Sequence, residues 1–339
     1  MGRKRLICAI TLGDPAGVGP EITLKALADT RIRGRARFIV IGNYLALEKA
    51  ASLGGIKLSD IKRIKGEEEL KSGFDGPLVF LEAGKLKRLE FGRMRRAYAK
   101  AALESINVAL RLMDAKKADA LVTAPVNKHA ISSLGKRFSG HTEYLAEYSG
   151  TKDFAMMLAG GPLKVVVVTR HIALKQVSRL LTIEKVYKTI SLTACAMKKY
   201  FALRSPTIAV CGLNPHSGEG GVIGSEEQDI IGPAIKKAKG LAQIVGPLAA
   251  DTLFYSAAHG RFDAVVAMYH DQGLIPLKML ALHKGVNITL GLPFVRTSPD
   301  HGTAYDIAGK NKANPGSMKA AINLAVQIGL RSQSRGLIS

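Results

Sequence analysis

Histidines closely follow three apolar runs of the sequence, and this placement suggests metal chemistry. His171 ends the segment KVVVVTRH, His216 ends TIAVCGLNPH, and His270 ends DAVVAMYH. Short apolar runs of this kind predict buried strands, and the carboxyl ends of parallel strands meet at one edge of a sheet. Three imidazoles at such an edge can hold a divalent cation and leave a position open for a substrate. No short-range ligand motif accompanies these histidines, so scattered polar residues are an equally good interpretation of the pattern.

Charged side chains near the same runs offer acid–base and anion-binding groups. Asp251, Asp271 and Lys278 can each act as an acid or a base, and each can equally cap a helix or form an ion pair. Lys278, Asn287 and Arg296 together provide donors for a phosphate or a carboxylate. For any one of these cations, a solvated surface charge is the alternative interpretation.

A glycine-rich turn near the start of the chain is a second place where an anion or nucleotide can bind. The pattern predicts a strand over residues 6–12, the turn GDPAGVGPE, and a helix over residues 21–29. Backbone N–H groups at such a helix start attract phosphate groups. The turn does not match G-x-G-x-x-G, so a purely structural turn is the alternative.

The elements that must position these groups alternate along the chain. Apolar runs predict strands over residues 37–42, 118–122, 264–268 and 286–290, and apolar periodicity predicts a helix over residues 93–115. A helix is also predicted over residues 178–200, and Asn43 is predicted to cap a helix that ends at about residue 53. Strands that alternate with helices favour a mainly parallel sheet covered on both faces.

Composition is typical of a globular protein with a large aliphatic core. The chain has 339 residues, 47% of them hydrophobic, a mean hydropathy of +0.10 and no tryptophan. This length allows one large domain or two lobes. The three cysteines lack metal-ligand spacing, which predicts buried free thiols in a reducing compartment. No apolar run approaches the length of a membrane span, so we expect a cytoplasmic protein without membrane contacts.

The formal net charge of +22 is large, and it raises the question of nucleic-acid binding. The basic residues are scattered, apart from small clusters at residues 31–37 and 93–96, and no helix-turn-helix, zinc-finger or RNA-binding signature accompanies them. We therefore interpret the charge as a basic solvated surface and expect no nucleic-acid partner.

Longer motifs resemble a known enzyme family. The segment HGTAYDIAGKNKANP resembles the nucleotide-binding segment of isocitrate and isopropylmalate dehydrogenases. A closer resemblance, from residue 10 to about residue 324, is to the 4-hydroxythreonine-4-phosphate dehydrogenase (PdxA) family. The motifs that carry it are GDPAGVGPE, TAPVNK, SGHTEYLAE, VCGLNPHSGEGG, PLAADTLF, AMYHDQGL and GVNITLGLPFVRTSPDHGTA.

The resemblance implies an α/β fold of two α/β/α lobes with mainly parallel sheets, like the isocitrate and isopropylmalate dehydrogenases, with the active site in the cleft. We expect residues 1–128 and 285–339 to form a nucleotide-binding lobe. Residues 129–284 then form the lobe with the metal site and the dimer interface. The two lobes together make one family domain, which works as a homodimer with a shared active site.

The resemblance also assigns roles to residues. It implies that His171, His216 and His270 bind one divalent metal, which zinc, magnesium, manganese or cobalt can each provide. Substrate contacts are expected from His141, Thr142, Lys278, Asn287 and Arg296. NAD, or alternatively NADP, is expected against Asp300, His301, Gly302 and Asn311. The proton acceptor is expected to be Asp251 or Lys278. One departure is the segment TRHIALKQV, where Arg170 and Ala173 replace an expected small hydroxyl residue and a proline.

The reaction implied by the resemblance is oxidation of 4-phosphooxy-L-threonine at C3, followed by decarboxylation to 3-amino-2-oxopropyl phosphate, in vitamin B6 biosynthesis. Relatives with nearly the same motifs oxidise 4-phospho-D-threonate or 4-phospho-D-erythronate instead. A basic nucleic-acid-binding protein is a more distant alternative.

Overall fold

The computed structural model describes residues 5–70, 76–135 and 138–334. The chain divides into two compact units, the first made of Met1–Gly150 with Pro293–Ser339 and the second of Thr151–Leu292. The sequence-based boundaries lay at residues 128/129 and 284/285. In the structure, residues 129–150 group with the first unit and residues 285–292 with the second.

The first unit contains a parallel sheet. Its strands, in the order in which they lie side by side, are β3 (Lys62–Ile64), β4 (Leu78–Glu82), β2 (Arg37–Gly42), β1 (Ile7–Thr11), β5 (Ala120–Thr123) and β12 (Val295–Pro299). Every neighbouring pair in this order is parallel. The carboxyl ends of β1, β5 and β12 therefore lie side by side, and the loops that follow them meet at one edge.

The helices of the first unit pack on this sheet and on one another. They are α1 (Gly19–Leu27), α2 (Thr30–Arg33), α3 (Tyr44–Gly54), α4 (Arg96–Asp114), α5 (Lys128–Ser132), α6 (His141–Tyr148) and α12 (Gly316–Ser334). On α4, the apolar positions from Tyr98 to Met113 recur every three or four residues and are buried against β1, β2 and β5. Asn43 caps α3 as its sequence predicted, because its side chain accepts a hydrogen bond from the Ala46 N–H.

The second unit contains a mixed sheet. Its strands, again in spatial order, are β11 (Val286–Leu290), β6 (Ala155–Gly160), β7 (Leu163–Val167), β10 (Ala264–Ala267), β8 (Thr207–Cys211) and β9 (Gln243–Leu248). β6 runs antiparallel to both β11 and β7, whereas β7, β10, β8 and β9 are mutually parallel. The three strands predicted to carry histidines are thus direct neighbours, with β10 in the middle.

Both faces of this second sheet are covered. The helices are α7 (Val177–Leu180), α8 (Ile183–Lys199), α9 (Gly232–Lys237), α10 (Ala250–Ala258) and α11 (His270–Ala281), with a π-helical turn at Glu227–Ile231 and 3₁₀ turns at Leu174–Gln176 and Pro215–Gly221. Successive residues of a strand point to opposite faces. Val265 accordingly packs with side chains of α10 and α11, and Val266 packs with those of α8 and α9. The α/β class with mainly parallel sheets is confirmed.

Three local predictions need correction. The segment Val295–Pro299 is a buried strand that was not predicted, because an arginine and a proline interrupt its apolar character. The helix predicted over residues 178–200 is broken at Leu181, whose backbone is extended, and Thr182 caps the second part. Cys8 and Cys211 are buried free thiols as predicted, but Cys195 is exposed on α8.

Among the helices of the described residues, none combines the length and the apolar character needed to cross a bilayer.

Candidate functional site

Three neighbouring strand ends in the second unit each lead to a histidine. His171 follows β7, His270 follows β10 as the first residue of α11, and His216 follows β8. The rings of His171 and His270 lie close together, with centroids 5.5 Å apart. Within the described parts of the chain, no group of three or more His, Cys, Asp or Glu side chains is arranged to hold one metal ion. A site built from all three histidines therefore stays a prediction.

In two of these histidines, the same ring nitrogen lies within hydrogen-bond distance of a carboxylate. The Nδ1 of His270 lies 2.7 Å from Oδ1 of Asp271, and the Nδ1 of His216 lies 2.8 Å from Oε1 of Glu219. An ionised carboxylate only accepts hydrogen bonds, so each Nδ1 carries the proton. In a neutral ring, Nε2 then keeps its lone pair. Metal-binding histidines commonly have this arrangement, so the chemistry of these donors fits a divalent cation.

The loop that carries His216 has an unusual backbone. Residues 216–220 all have positive φ, between 42° and 81°, although only two of them are glycine. This left-handed conformation is unfavourable for residues with a Cβ, and such strain persists only where surrounding contacts hold it. Here the buried Glu227 carboxylate accepts hydrogen bonds from the N–H groups of Leu213 and Asn214, at 2.6 and 2.8 Å. The Gln228 amide donates to the Gly220 carbonyl at 2.7 Å.

The departure from the family pattern beside His171 has a structural explanation. The guanidinium of Arg170 lies over the ring of Phe154, 4.6 Å from its centroid. Such cation–π contacts stabilise a partly desolvated arginine. Ala173 directly precedes the short turn Leu174–Gln176. Arg170 and Ala173 thus each have a structural role in the segment on either side of His171.

The two candidate proton acceptors lie in different positions relative to the histidines. Asp251 is exposed in the first turn of α10, which follows β9, so it lies at the same sheet edge as the histidines. Lys278 is exposed on α11, eight residues after His270. Eight residues of helix span roughly 12 Å, so Lys278 is two turns away from that edge within its own chain.

Asn287 is also set back from the sheet edge. It is the second residue of β11, in register with Leu158 and, through it, with Val165. Since β11 continues to Leu290, Asn287 lies roughly 10 Å before the end of its strand. Its Oδ1 is buried and has no hydrogen-bond partner, which makes it a candidate to accept a hydrogen bond from a ligand.

The first unit holds a separate cationic cluster around Arg296. This residue lies inside β12 and is only 2% exposed. Its Nε and Nη2 donate to Oγ1 of Thr123 at 3.1 and 2.6 Å. Burial lowers the pKa of the Arg296 guanidinium to about 9, and the nearby Glu143 carboxylate opposes the decrease. A buried cation with a neutral hydroxyl as a close partner is well suited to bind an anion.

His141 belongs to the same cluster and begins α6. Burial, and then the charges of Arg296 and Lys128, lower the pKa of His141 well below its usual value. The imidazole is therefore neutral near pH 7. Its Nε2 is buried without a hydrogen-bond partner, and the next residue, Thr142, is also buried. The structure thus brings His141, Thr142 and Arg296 together, whereas Lys278 and Asn287 belong to the second unit.

The residues predicted to bind the nucleotide lie in the loop after β12. Asp300 is held through its N–H by the Ser317 hydroxyl at 3.1 Å, and His301 and Gly302 are exposed. Asn311 is exposed with a positive φ of 56°. Lys25 donates to its carbonyl at 3.0 Å and so fixes the end of the loop.

This loop contacts the glycine-rich turn near the start of the chain. The Tyr305 hydroxyl donates to Oδ2 of Asp14 at 2.6 Å, and the Val18 N–H donates to the Thr303 carbonyl at 2.9 Å. Burial raises the pKa of Asp14, although its hydrogen bonds with Tyr305 and Ala16 oppose the increase. The two sequence motifs proposed to bind phosphate or nucleotide are therefore in direct contact within the first unit.

Sequence reasoning missed several residues that shape these sites. Thr123 and Asp14 lie in motifs that the sequence singled out, yet neither received a role. The carboxylates of Glu219 and Asp271 were detectable only as acidic residues close in sequence to a histidine. The contacts of Gln272 depend on the strand order, which the sequence did not specify.

The chain is similar to known proteins along most of its length. A family model described as "Pyridoxal phosphate biosynthetic protein PdxA" matches residues 34–325. The chain is 46% identical over 325 residues to the 4-hydroxythreonine-4-phosphate dehydrogenase of Geobacter metallireducens, and the alignment covers 94% of each protein. It is 42% identical over 329 residues to the D-threonate 4-phosphate dehydrogenase of Cupriavidus necator, covering 96% of this chain and 98% of that relative.

A solved structure shows the same fold. The crystal structure of 4-hydroxythreonine-4-phosphate dehydrogenase from Klebsiella pneumoniae matches with a TM-score of 0.84 and 38% sequence identity. The match covers 96% of this chain and 100% of that chain. Both the sequence and the fold are therefore similar to these proteins over almost their full length.

Proposed function

Since the chain belongs to the PdxA family of pyridoxal phosphate biosynthetic proteins, we propose that it oxidises 4-phosphooxy-L-threonine at C3 with NAD. Decarboxylation of the product then gives 3-amino-2-oxopropyl phosphate, a step in pyridoxal 5′-phosphate (vitamin B6) biosynthesis. The observation that carries this proposal is the set of three histidines on neighbouring parallel strand ends, two of which have a carboxylate on Nδ1.

In this proposal, His171, His216 and His270 hold one divalent cation, for which zinc, magnesium, manganese and cobalt are all suitable. When bound, the cation supplies Lewis acidity to the substrate oxygens. The donor set supports this role because the carboxylates of Asp271 and Glu219 leave Nε2 of their histidines available.

The cationic cluster of the first unit binds an anionic group of the substrate. Arg296 offers a buried charge, and His141 offers an unpaired Nε2 in a neutral ring. Thr142, Lys278 and Asn287 complete the proposed substrate contacts. Fixing both the phosphate and the carboxylate orients the C3–H bond towards the nicotinamide, which is the main contribution of binding residues to such a reaction.

Oxidation of the C3 alcohol requires one group that accepts a proton and one that accepts a hydride. Asp251 or Lys278 accepts the C3 hydroxyl proton as the hydride moves to NAD, and a β-keto acid results. The C3 carbonyl of this acid accepts the electron pair of the C1–C2 bond as carbon dioxide leaves. The resulting enolate takes up a proton at C2 and gives 3-amino-2-oxopropyl phosphate. We place the adenosine half of NAD, or of NADP, against Asp300, His301, Gly302 and Asn311.

A homodimer with a shared active site is part of the proposal. Ile275 and Met279 project from one side of α11 and Leu282 directly follows the helix, with exposed fractions of 59%, 82% and 63%. A row of exposed apolar side chains marks an interaction surface. Lys278 lies on the same helix but two turns from His270, so it is positioned to serve the site of a second copy rather than its own. Free cysteines agree with a cytoplasmic location.

Oxidation of 4-phospho-D-threonate or 4-phospho-D-erythronate is the second candidate, which the Cupriavidus necator relative favours by its name. These acids carry a hydroxyl group where phosphothreonine carries an amino group. We would therefore measure NADH formation from all three compounds, each with and without a chelator. We expect the highest kcat/KM for 4-phosphooxy-L-threonine and no turnover after chelation. A higher kcat/KM for either phosphosugar acid would select the alternative.

A further inference from the structure

The side chain of Gln272 connects two of the histidine-bearing strand ends. Its Oε1 accepts a hydrogen bond from the Met268 N–H at 2.7 Å. Its Nε2 donates to the Gly212 carbonyl, also at 2.7 Å. Met268 directly follows β10 and Gly212 directly follows β8. One amide group therefore bridges the chain segments that lead to His270 and His216.

This bridge lies where the regular pairing of the two strands stops. The parallel register of β10 and β8 ends at Val266 and Val210, two residues before Met268 and Gly212. A glutamine amide has the same carbonyl acceptor and N–H donor as a peptide group. Gln272 thus takes the place of a missing peptide between the strand ends and keeps them at a fixed separation.

The third strand end is joined to the same point from the other side. The carbonyl of Met268 accepts hydrogen bonds from the N–H and the hydroxyl of Thr169, at 3.1 and 2.7 Å. Thr169 is buried and lies two residues before His171. The backbone N–H and the carbonyl of Met268 therefore both take part in hydrogen bonds that hold β10 between β8 and β7.

From these contacts we propose that Gln272 is a positioning residue that sets the affinity of the histidine site for a divalent cation. It acts through the spacing of the segments that carry His270 and His216, and it does not bind the cation. The inference rests on the proposed function, since it needs a metal at these histidines. Residues that orient metal ligands typically change metal affinity by about 10–100-fold when they are replaced.

The test is a Co²⁺ titration of the full-length protein, followed by the visible absorption of the bound ion. Gln272→Met keeps the length of the side chain and removes both hydrogen bonds. Gln243→Met is a matched control, because Gln243 accepts a hydrogen bond from the Thr207 hydroxyl at the opposite end of β8. We expect Gln272→Met to bind Co²⁺ about 10–100-fold more weakly than Gln243→Met, with an altered absorption spectrum. Thermal unfolding of the metal-free proteins checks that both variants are folded.

A second variant covers the case in which Gln272→Met does not fold. Gln272→Asn keeps the amide but is one methylene shorter, so it cannot reach both Met268 and Gly212, and we expect the same weakening. Co²⁺ affinity and absorption equal to those of Gln243→Met would overturn the inference. His270→Ala separates this result from a failure of the proposed function. If His270→Ala binds Co²⁺ as the parent does, the metal site itself is wrong, and the role of Gln272 is wrong with it.

Discussion

Arg296 is a buried cation that we expect to contribute strongly to substrate binding and little to the free energy of unfolding. It is 2% exposed, and the hydroxyl of Thr123 accepts two hydrogen bonds from its guanidinium. Desolvation of a charge is unfavourable, and an anionic ligand would offset part of that cost. The burial of Arg296 therefore supports its proposed role in substrate binding.

Replacing Arg296 with methionine should separate the two effects. We expect KM for the phosphorylated substrate to rise by about 10–100-fold, since a hydrogen bond to a charged group contributes roughly 1.5–3 kcal/mol. The free energy of unfolding without ligand should change little, because the lost hydrogen bonds are offset by removal of a desolvated charge. Steady-state kinetics and urea unfolding measure both quantities. Arg35→Met, which removes an exposed guanidinium bonded to Asn323, is the control, and an unchanged KM in Arg296→Met would exclude Arg296 from the pocket.

His141 makes stability depend on pH in a defined direction. The folded protein holds its imidazole neutral, because burial and then nearby cations lower its pKa, whereas the unfolded chain takes up a proton near its usual value of 6.5. The unfolded state thus binds more protons below about pH 6.5. The contribution of the neutral ring to the free energy of unfolding is therefore fully present above this pH. It is lost as the pH falls below this value.

The variant His141→Gln should weaken this dependence. In the parent protein, this one residue reduces the free energy of unfolding by up to about 1.4 kcal/mol per pH unit below about pH 6.5. The glutamine side chain does not titrate, so urea unfolding between about pH 5 and pH 7.5 should show a smaller slope. His283→Gln, at an exposed position, should keep the parental slope. Equal slopes for the parent and His141→Gln would contradict a buried neutral imidazole.

Among the elements, the left-handed segment 216–220 stores strain and contains the proposed metal ligand His216. Its residues His216, Ser217 and Glu219 carry a Cβ at φ values of 51°, 54° and 42°. Gln228 holds this segment by donating a hydrogen bond to the Gly220 carbonyl, and Glu227 holds Leu213 and Asn214, which precede the segment. A loop fixed in this way presents the His216 ring in one orientation, with Glu219 on its Nδ1.

Substitutions of Ser217 can measure this strain. Its hydroxyl is buried without a hydrogen-bond partner, so Ser217→Ala and Ser217→Gly both remove the same polar group. Only glycine also removes the Cβ that disfavours a positive φ. We expect Ser217→Gly to be more stable than Ser217→Ala by about 1 kcal/mol in urea unfolding. Equal stabilities of the two variants would show that the left-handed backbone is not strained.

Elements with a clear apolar pattern could be predicted from sequence alone. The run RFIVIG gave the bounds of β2 correctly, and Asn43 was recognised as the cap of α3. β12 was missed because the burial of VRTSP depends on its pairing with β5, a contact between residues about 175 apart in sequence. Local pattern does not encode such a distant partner.

The site was predictable to the level of candidate residues and not of their arrangement. The position of His171, His216 and His270 after apolar runs reflects the strand period, which sequence shows. The position of β10 between β7 and β8 depends on the order of strands in the sheet, which a local sequence pattern does not show. The left-handed loop and the set-back position of Asn287 likewise follow from tertiary contacts and register.

For the whole molecule, the exposed apolar side of α11 is the surface that we propose as the dimer interface. We expect Met279→Glu to weaken self-association, because it places a charge in the centre of the proposed interface. Sedimentation at several protein concentrations should show monomers for this variant and dimers for the parent, with turnover reduced in parallel. Leu53→Glu, at an exposed leucine of the first unit, is the control. A monomeric parent with full activity would contradict the shared active site.

The net charge of +22 is spread over the surface, although several basic residues cluster around one cavity. A cavity of about 590 Å³ in the first unit is lined by Lys85, Lys87, Arg88, Arg95 and Arg96, together with three apolar or aromatic residues. Such a field raises the local concentration of anionic substrates and cofactors. The charge is therefore compatible with an enzyme of phosphorylated metabolites and does not require a nucleic-acid partner.

The most direct measurement is the metal content and NADH formation of the parent, His270→Ala and His283→Ala, each purified and then supplied with Zn²⁺. We expect the parent and His283→Ala to bind one ion per chain and to oxidise 4-phosphooxy-L-threonine in a chelator-sensitive way. His270→Ala should keep the parental circular dichroism spectrum and lose both the ion and the turnover. A His270→Ala protein that retains parental metal content and chelator-sensitive activity would contradict the assignment of the three histidines.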